Sequence, residues 1–142
     1  MYDKVISINQ NETDFLSHYI DNSKLFTLPA FCRAQNRGNT YKKYDVMFVG
    51  SGSPFNVEGI MKFIAKVMPI VKRKIPNIKV AIAGDVSTCS ALRKVNEDCY
   101  DMLGRVESVT DLYGSSKVVV SPIISGAGMK VKNVEALSYG MP

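Results

Sequence analysis

Two short loops of the chain combine glycine with neighbours that suit anion binding. The first is Gly50-Ser51-Gly52-Ser53-Pro54 and the second is Ser125-Gly126-Ala127-Gly128. Glycine lets the backbone come close to a ligand, and the amides at a helix N-terminus attract an anion. Gly50 and Gly52 begin a pattern like the dinucleotide fingerprint, but its third small residue falls at Phe55, so the spacing excludes NAD. Neither loop ends in Gly-Lys-Ser or Gly-Lys-Thr, which excludes a P-loop.

The residues after the second loop have the charges and spacing that a nucleoside diphosphate needs. Lys130 and Lys132 fall in the first turns of a predicted helix, where the helix dipole opposes each cation by about 0.3–1 kcal/mol. A bound diphosphate would make the position of these lysines favourable, because their positive charges would then face an anion. Glu135 is seven residues after Gly128, or two turns, which is about 10 Å along the helix and suits the ribose of the same nucleotide. The local pattern equally allows surface charges, with Lys132 paired to Glu135.

The strands that must position these loops are apolar runs without alternation. They are Val46–Val49, Ile78–Ala83 and Val118–Val120, and a weaker strand is predicted at Tyr100–Leu103. Such runs are typical of parallel strands that are buried on both faces. Because segments with helical period separate them, the sequence predicts a doubly wound α/β domain, whose ligands bind beyond the carboxyl ends of the strands.

Two of the helices carry clear start, stop or break signals. Asn56 is predicted to cap a helix in which apolar residues recur every three or four positions. Pro69 lies inside that helix and removes a backbone hydrogen bond, so a kink or break is predicted near Val67. The last helix is predicted to begin near Gly128 and to stop at Gly140.

The N-terminal part of the chain has a different pattern. Val5–Ile8 and Leu25–Leu28 are predicted as short strands with a helical stretch between them. The stretch Arg33–Lys43 is almost entirely polar and is predicted as a linker or exposed loop. We therefore expect two units, residues 1–43 and residues 44–142.

Composition narrows the class of protein. The chain has 142 residues, of which 46% are hydrophobic and 22% charged, as in ordinary globular domains. It contains neither an apolar run near 18 residues nor a secretory signal pattern, so no transmembrane segment and a cytoplasmic location are predicted. The net charge of +5 is spread out and tryptophan is absent, which favours a small anionic ligand over nucleic acid. The three cysteines lack the spacing of a zinc site or of a disulfide framework.

A series of motifs covers residues 44 to 142. They are Phe48-Val49-Gly50, Asn56-Val57-Glu58-Gly59-Ile60, Ala81-Ile82-Ala83-Gly84, Gly104-Arg105-Val106, Asp111-Leu112-Tyr113, Ser121-Pro122 and GAGMKVKNVEALSYGMP, which runs from Gly126 to Pro142. In this order they resemble the group 1, or family 4, glycosyltransferases. The resemblance implies two Rossmann-like domains that face each other across a cleft. The N-terminal domain would hold the acceptor and the C-terminal domain the nucleotide-diphosphate sugar. It further implies transfer with retention of configuration, with no metal and no other cofactor.

The resemblance also assigns a nucleotide-sugar site. In chain order the site comprises Gly50, Gly52, Arg105, Val106, Gly126, Gly128, Lys130, Lys132 and Glu135. The first two glycines would line the donor side of the cleft, and the backbone at the arginine and valine would meet the base. The other glycines and one of the lysines would meet the diphosphate, and the glutamate would meet the ribose. No catalytic residue is assigned.

Two departures from the family pattern limit what the resemblance implies. Many members have a glutamate where Ala127 stands, and that glutamate is usually assigned a contact with the donor sugar. This chain has no counterpart for the contact. The family motif normally continues beyond Pro142, and residues 1–43 resemble only the last strand, helix and strand of the acceptor domain. The resemblance thus implies a fragment, inactive alone and prone to self-association through exposed apolar surface.

The resemblance does not assign the donor base, the donor sugar or the acceptor, which could be a sugar, a lipid-linked group or another molecule. A non-catalytic nucleotide or nucleotide-sugar binding module and a related sugar epimerase stay open as alternatives.

Overall fold

The smaller of two parallel sheets lies in the N-terminal part of the chain. The computed structural model describes residues 2–29, 31–38, 41–95, 98–125 and 130–142. Strand β1 (Val5–Ser7) pairs in parallel with β2 (Leu25–Thr27), and helix α1 (Gln10–Leu16) connects them. The side chain of Asn9 caps α1 by accepting from the amide of Glu12 at 2.9 Å. Both strands predicted in this part of the sequence are confirmed.

The larger sheet has four parallel strands. They are β3 (Tyr44–Val49), β4 (Val80–Ala83), β5 (Tyr100–Gly104) and β6 (Ser116–Val119), in the spatial order β5-β4-β3-β6. The weaker strand predicted from the sequence is β5, a full member of the sheet. From β3 the chain adds β4 and then β5 on one side, and it then crosses to the other side of β3 to form β6. The direction of winding therefore reverses between β3 and β6.

Helices cover both faces of this sheet. They are α2 (Pro54–Lys62), α3 (Met68–Lys74), α4 (Val109–Gly114) and α5 (Val131–Ser138). Side chains alternate along a strand, so β3 directs Phe48 to one face and Met47 to the other, and both are fully buried. Phe48 belongs to the core formed with α2 and α3, and Met47 to the core formed with α4 and α5. The prediction of a doubly wound α/β domain is confirmed.

Helix α2 begins earlier than predicted. Ser53 is its N-cap, with a hydroxyl that accepts from the amide of Asn56 at 3.4 Å, and Pro54 occupies the first turn. The prediction that Asn56 caps the helix is therefore wrong. Its side chain is instead buried, with polar partners described below.

The helix breaks where the sequence predicts. Phe63–Val67 form a π-helical turn, and the amide of Met68 donates to the carbonyl of Phe63. Pro69 follows directly and has no amide proton to continue the regular ladder, which explains the wider turn.

The last helix begins later than predicted. Lys130 is at its N-cap with φ −83° and ψ 96°, so Lys132 lies in the first turn but Lys130 precedes it. Gly128 lies outside the described residues. The helix ends at Ser138, and Gly140, the predicted stop, follows the C-cap with a φ of 63°, in the left-handed region that favours glycine.

The polar stretch predicted as a linker contains neither helix nor strand in its described residues. Within this stretch, the amide of Gln35 donates to the carbonyl of Ser138, the last residue of α5, at 2.8 Å. Across the described ranges, the helices are too short or too polar to cross a membrane.

Candidate functional site

A cleft of about 420 Å³ opens beyond the carboxyl ends of β3, β4 and β5. It is lined by Val49, Gly50, Ser51, Asn56, Gly84, Asp85, Arg105, Lys132 and Glu135. The loop after β3 forms one wall, and α5, which follows β6 in the chain, forms another. The cleft therefore lies where the strand order reverses, which is the place where doubly wound sheets bind their ligands.

Lys132 supplies a positive charge that is partly removed from water. Its Nζ donates to Oδ1 of Asn56 at 2.6 Å and lies 4.7 Å from the ring centroid of Phe48. Burial, with a smaller contribution from Lys130, lowers the pKa of the Lys132 ammonium. An anion in the cleft would offset that lost solvation. Within the described part of the chain, Lys132 donates to Asn56 and Glu135 accepts from Tyr113.

Glu135 is held by a buried tyrosine. The hydroxyl of Tyr113 donates to Oε2 of Glu135 at 3.2 Å, and the ring of Tyr113 stacks on Tyr139 with centroids 4.3 Å apart. Burial, and then the charge of Glu135, raises the pKa of Tyr113, so its hydroxyl stays a donor at neutral pH. Tyr113 lies in the motif Asp111-Leu112-Tyr113, but sequence reasoning assigned it no role in the site.

Asp85 and Arg105 form an ion pair at the rim of the cleft. The guanidinium donates from Nε to Oδ1 at 2.7 Å and from Nη2 to Oδ2 at 3.1 Å. This contact lowers the pKa of Asp85. Because Asp85 pairs with Arg105, the other two charged groups of the lining are the Lys132 ammonium and the Glu135 carboxylate. Asp85 was not among the predicted site residues, although it lies two residues after the end of the predicted strand Ile78–Ala83.

The glycines bring two loops into backbone contact. Gly84 has φ of 84°, and a Cβ on it would lie 2.3 Å from the carbonyl oxygen of Gly50. The amide of Val86 donates to that same oxygen at 3.2 Å. Any side chain at position 84 would therefore separate the loops after β3 and β4. Gly52 packs beside Cys89, where a Cβ would lie 3.3 Å from Sγ, and lies outside the lining of the cleft.

The structure thus brings together four of the predicted site residues, Gly50, Arg105, Lys132 and Glu135. Lys130 and Gly52 do not line this cleft, and Val106 lines a different one beside Tyr44 and Leu112. Gly126 and Gly128 lie outside the described residues. Where side chains are described, no three or more His, Cys, Asp or Glu residues form a group that could hold a metal ion.

Comparison with known protein families identifies the family of this chain. The family described as "Glycosyl transferases group 1" matches residues 43–142. The chain belongs to the group 1 glycosyl transferases. The resemblance found in the motifs is therefore confirmed.

A curated relative of this glycosyl transferase chain is an uncharacterized 44.6 kDa protein in the cps region of Klebsiella pneumoniae. The two are 29% identical over 154 residues, which cover 99% of this chain and 38% of the relative. The chain therefore spans little more than a third of the length of that relative.

Two solved structures share the fold. TarM superposes with a TM-score of 0.73 at 18% identity, over 99% of this chain and 28% of TarM. The pneumococcal O-GlcNAc transferase GtfA, in complex with UDP and GlcNAc, superposes with a TM-score of 0.73 at 19% identity, over 99% of this chain and 29% of GtfA. The Rossmann-like α/β fold expected from the resemblance is confirmed.

Proposed function

We propose that the cleft binds the nucleotide-diphosphate sugar donor of a glycosyltransferase that retains configuration. In this proposal residues 44–142 are part of the nucleotide-sugar-binding domain, and residues 1–43 are the end of the acceptor domain and the linker. A cytoplasmic location, predicted from the sequence pattern, is part of the same proposal. The observation that carries it is the meeting of Lys132, Glu135 and the Gly50 backbone in one cleft at the switch point of the sheet.

The charges in the cleft favour one orientation of the donor. Lys132 and Glu135 are three residues apart on α5, about 4.5 Å along the helix axis. A diphosphate is attracted by the ammonium and repelled by the carboxylate. A ribose instead offers hydroxyl donors that a carboxylate accepts. The diphosphate therefore belongs beside Lys132, and the ribose beside Glu135.

The rim formed by Asp85 and Arg105 suits the uncharged end of the donor. The carboxylate of Asp85 disfavours a phosphate group there, and it also neutralises the guanidinium that could otherwise attract one. The base therefore lies towards this rim, close to the backbone of Arg105. This placement retains the assignment of the base implied by the family resemblance.

Calorimetry on the chain tests the proposal with a panel of nucleoside diphosphates and with inorganic pyrophosphate. UDP is included because the structure of GtfA contains it. Lys132→Ala should weaken binding of both UDP and pyrophosphate by about 1–3 kcal/mol, the scale of a charge-assisted hydrogen bond. Lys130→Ala should have a smaller effect because Lys130 does not line the cleft. Lys74→Ala is the matched control, since Lys74 is an exposed lysine on α3.

Glu135→Gln separates the ribose from the diphosphate. Glutamine keeps the shape and one acceptor oxygen for Tyr113 but loses the charge. It should weaken nucleoside diphosphates and leave pyrophosphate nearly unchanged. An equal loss for both ligands would show that Glu135 supports the site without contacting ribose. If neither lysine variant changes binding, the cleft does not hold a diphosphate.

A further inference from the structure

We infer that Asn56 positions the Lys132 ammonium and ties it to the loop after β3. This inference rests on the proposed function, because it concerns how the cation of the diphosphate site is held. Asn56 is on α2 and Lys132 is on α5, 76 residues later in the chain. Their hydrogen bond therefore joins two helices that contribute to different walls of the cleft.

The chemistry of the contacts fixes which way the Asn56 amide points. Its Nδ2 lies 3.0 Å from the backbone carbonyl oxygen of Ser51, an atom that can only accept. The NH₂ group must therefore face Ser51, whose Oγ is also within 3.1 Å. The amide oxygen is then directed at Lys132, whose ammonium can only donate. Rotating the amide by half a turn would break both contacts at once.

Asn56 is well placed to restrict this lysine. It is buried, with 9% of its surface exposed, so its polar atoms depend on protein partners. Lysine has a long, flexible side chain whose ordering costs conformational entropy. The contact with Asn56 on one side and the ring of Phe48 on another holds the ammonium in the cleft before a ligand arrives. Asn56 thus acts through Lys132 and need not touch the ligand.

Two nearly isosteric substitutions test this role without any ligand. The pKa of Lys132 can be followed by NMR of isotope-labelled lysine side chains. Asn56→Leu replaces the amide acceptor with an apolar group of similar size, so the pKa of Lys132 should fall further. Asn56→Asp places a carboxylate there, so the pKa should rise. The neighbouring charges of Lys130, Glu135, Asp85 and Arg105 are the same in both variants.

Ser51→Ala is the matched control. It removes one acceptor of the Asn56 amide but keeps the backbone carbonyl at 3.0 Å, so the pKa of Lys132 should hardly change. If Asn56→Leu and Asn56→Asp move that pKa in the same direction, or not at all, Asn56 does not position the lysine. Circular dichroism tests whether each variant folds. If Asn56→Leu does not fold, the direction of the pKa change of Lys132 in Asn56→Asp decides the test by itself.

Pyrophosphate binding supplies the second measurement. Asn56→Leu should weaken binding about tenfold in the wild-type background, the scale of one charge-assisted hydrogen bond. In a Lys132→Met background the same change should have no further effect, because the residue through which Asn56 acts is gone. A tenfold loss that persists in that background would overturn the positioning role. If the pKa of Lys132 shifts as expected but Lys132→Ala binds pyrophosphate normally, the positioning stands and the proposed function fails.

Discussion

At the scale of single residues, Gly50 packs closely against the side chains that contact Lys132. A Cβ there would lie 3.1 Å from Cγ and Nδ2 of Asn56 and 3.1 Å from Cζ of Phe48. Both of these side chains contact the Lys132 ammonium. Gly50→Ala should therefore displace both and weaken pyrophosphate binding about tenfold, the scale of one charge-assisted hydrogen bond. Isothermal titration calorimetry measures the change.

Gly52→Ala is the control for this substitution. It adds the same methyl group to the same loop, but its nearest neighbour is Sγ of Cys89 at 3.3 Å and not Asn56. Pyrophosphate affinity should therefore stay close to that of the unmodified chain. Equal losses for the two variants would mean that the loop as a whole, and not the lysine's partners, determines affinity.

At the scale of elements, the packing of α2 against the segment after β6 depends on Gly59. Alanine is normally the better helix residue by about 1 kcal/mol. Here a Cβ would lie 2.5 Å from the carbonyl oxygen of Pro122, a backbone atom that cannot rotate away. Gly59→Ala should therefore lower the free energy of unfolding by about 1–3 kcal/mol, as overpacking does. Urea unfolding followed by circular dichroism measures this.

Glu58→Ala in the same helix provides the comparison. Glu58 pairs with Lys62 at 2.6 Å, and both side chains are about half exposed. The change in unfolding free energy should stay within about 0.5 kcal/mol. If Gly59→Ala instead stabilises the chain, helix propensity outweighs the close contact with Pro122, and α2 is free to shift.

At the scale of the whole molecule, Asp45 joins three parts of the large sheet at the end opposite the cleft. Its carboxylate accepts from Nζ of Lys117 on β6 at 2.7 Å and from the amide of Lys79, just before β4, at 2.9 Å. The Lys117 contact, and then the Lys79 amide, lowers the pKa of Asp45 below 3.8. A carboxyl group with a lowered folded-state pKa stabilises the fold above its unfolded pKa, and loses this contribution as the pH falls through the folded value.

Asp45→Asn tests that contribution. Because Asp45 and Lys117 are partly exposed, the loss at pH 7 should be at most about 1 kcal/mol. The difference from the unmodified chain should shrink as the pH falls below about 4. Urea unfolding at a series of pH values measures it, and pyrophosphate binding at pH 7 should be unchanged. A difference that stays constant down to pH 2 would assign the effect to shape and not to charge.

The small sheet leaves apolar side chains uncovered. Ile6 and Phe26 are register partners on β1 and β2, and they are 61% and 48% exposed. Exposed apolar neighbours of this kind favour association. Self-association of the chain stays a prediction.

The sequence alone determined the parts of the fold that depend on local physics. Apolar runs without alternation identified β3 as a strand buried on both faces, because such a strand needs apolar groups on each side. Pro69 located the break in the helix, since the missing amide proton acts within one turn. Gly140 marked the end of α5 because few other residues adopt a positive φ. Family motifs identified Lys132 and Glu135 as candidates.

Only the tertiary structure decided which polar groups meet. Asn56 has the sequence signature of a helix cap, but its amide is used by Ser51 and by Lys132. The local i,i+3 spacing allows Lys132 to pair with Glu135, yet Glu135 accepts from Tyr113 on another helix. Sequence periodicity records which side of an element is buried, and it holds little information about partners far away in the chain. Those partners are set by the strand order and the packing of helices on both faces of the sheet.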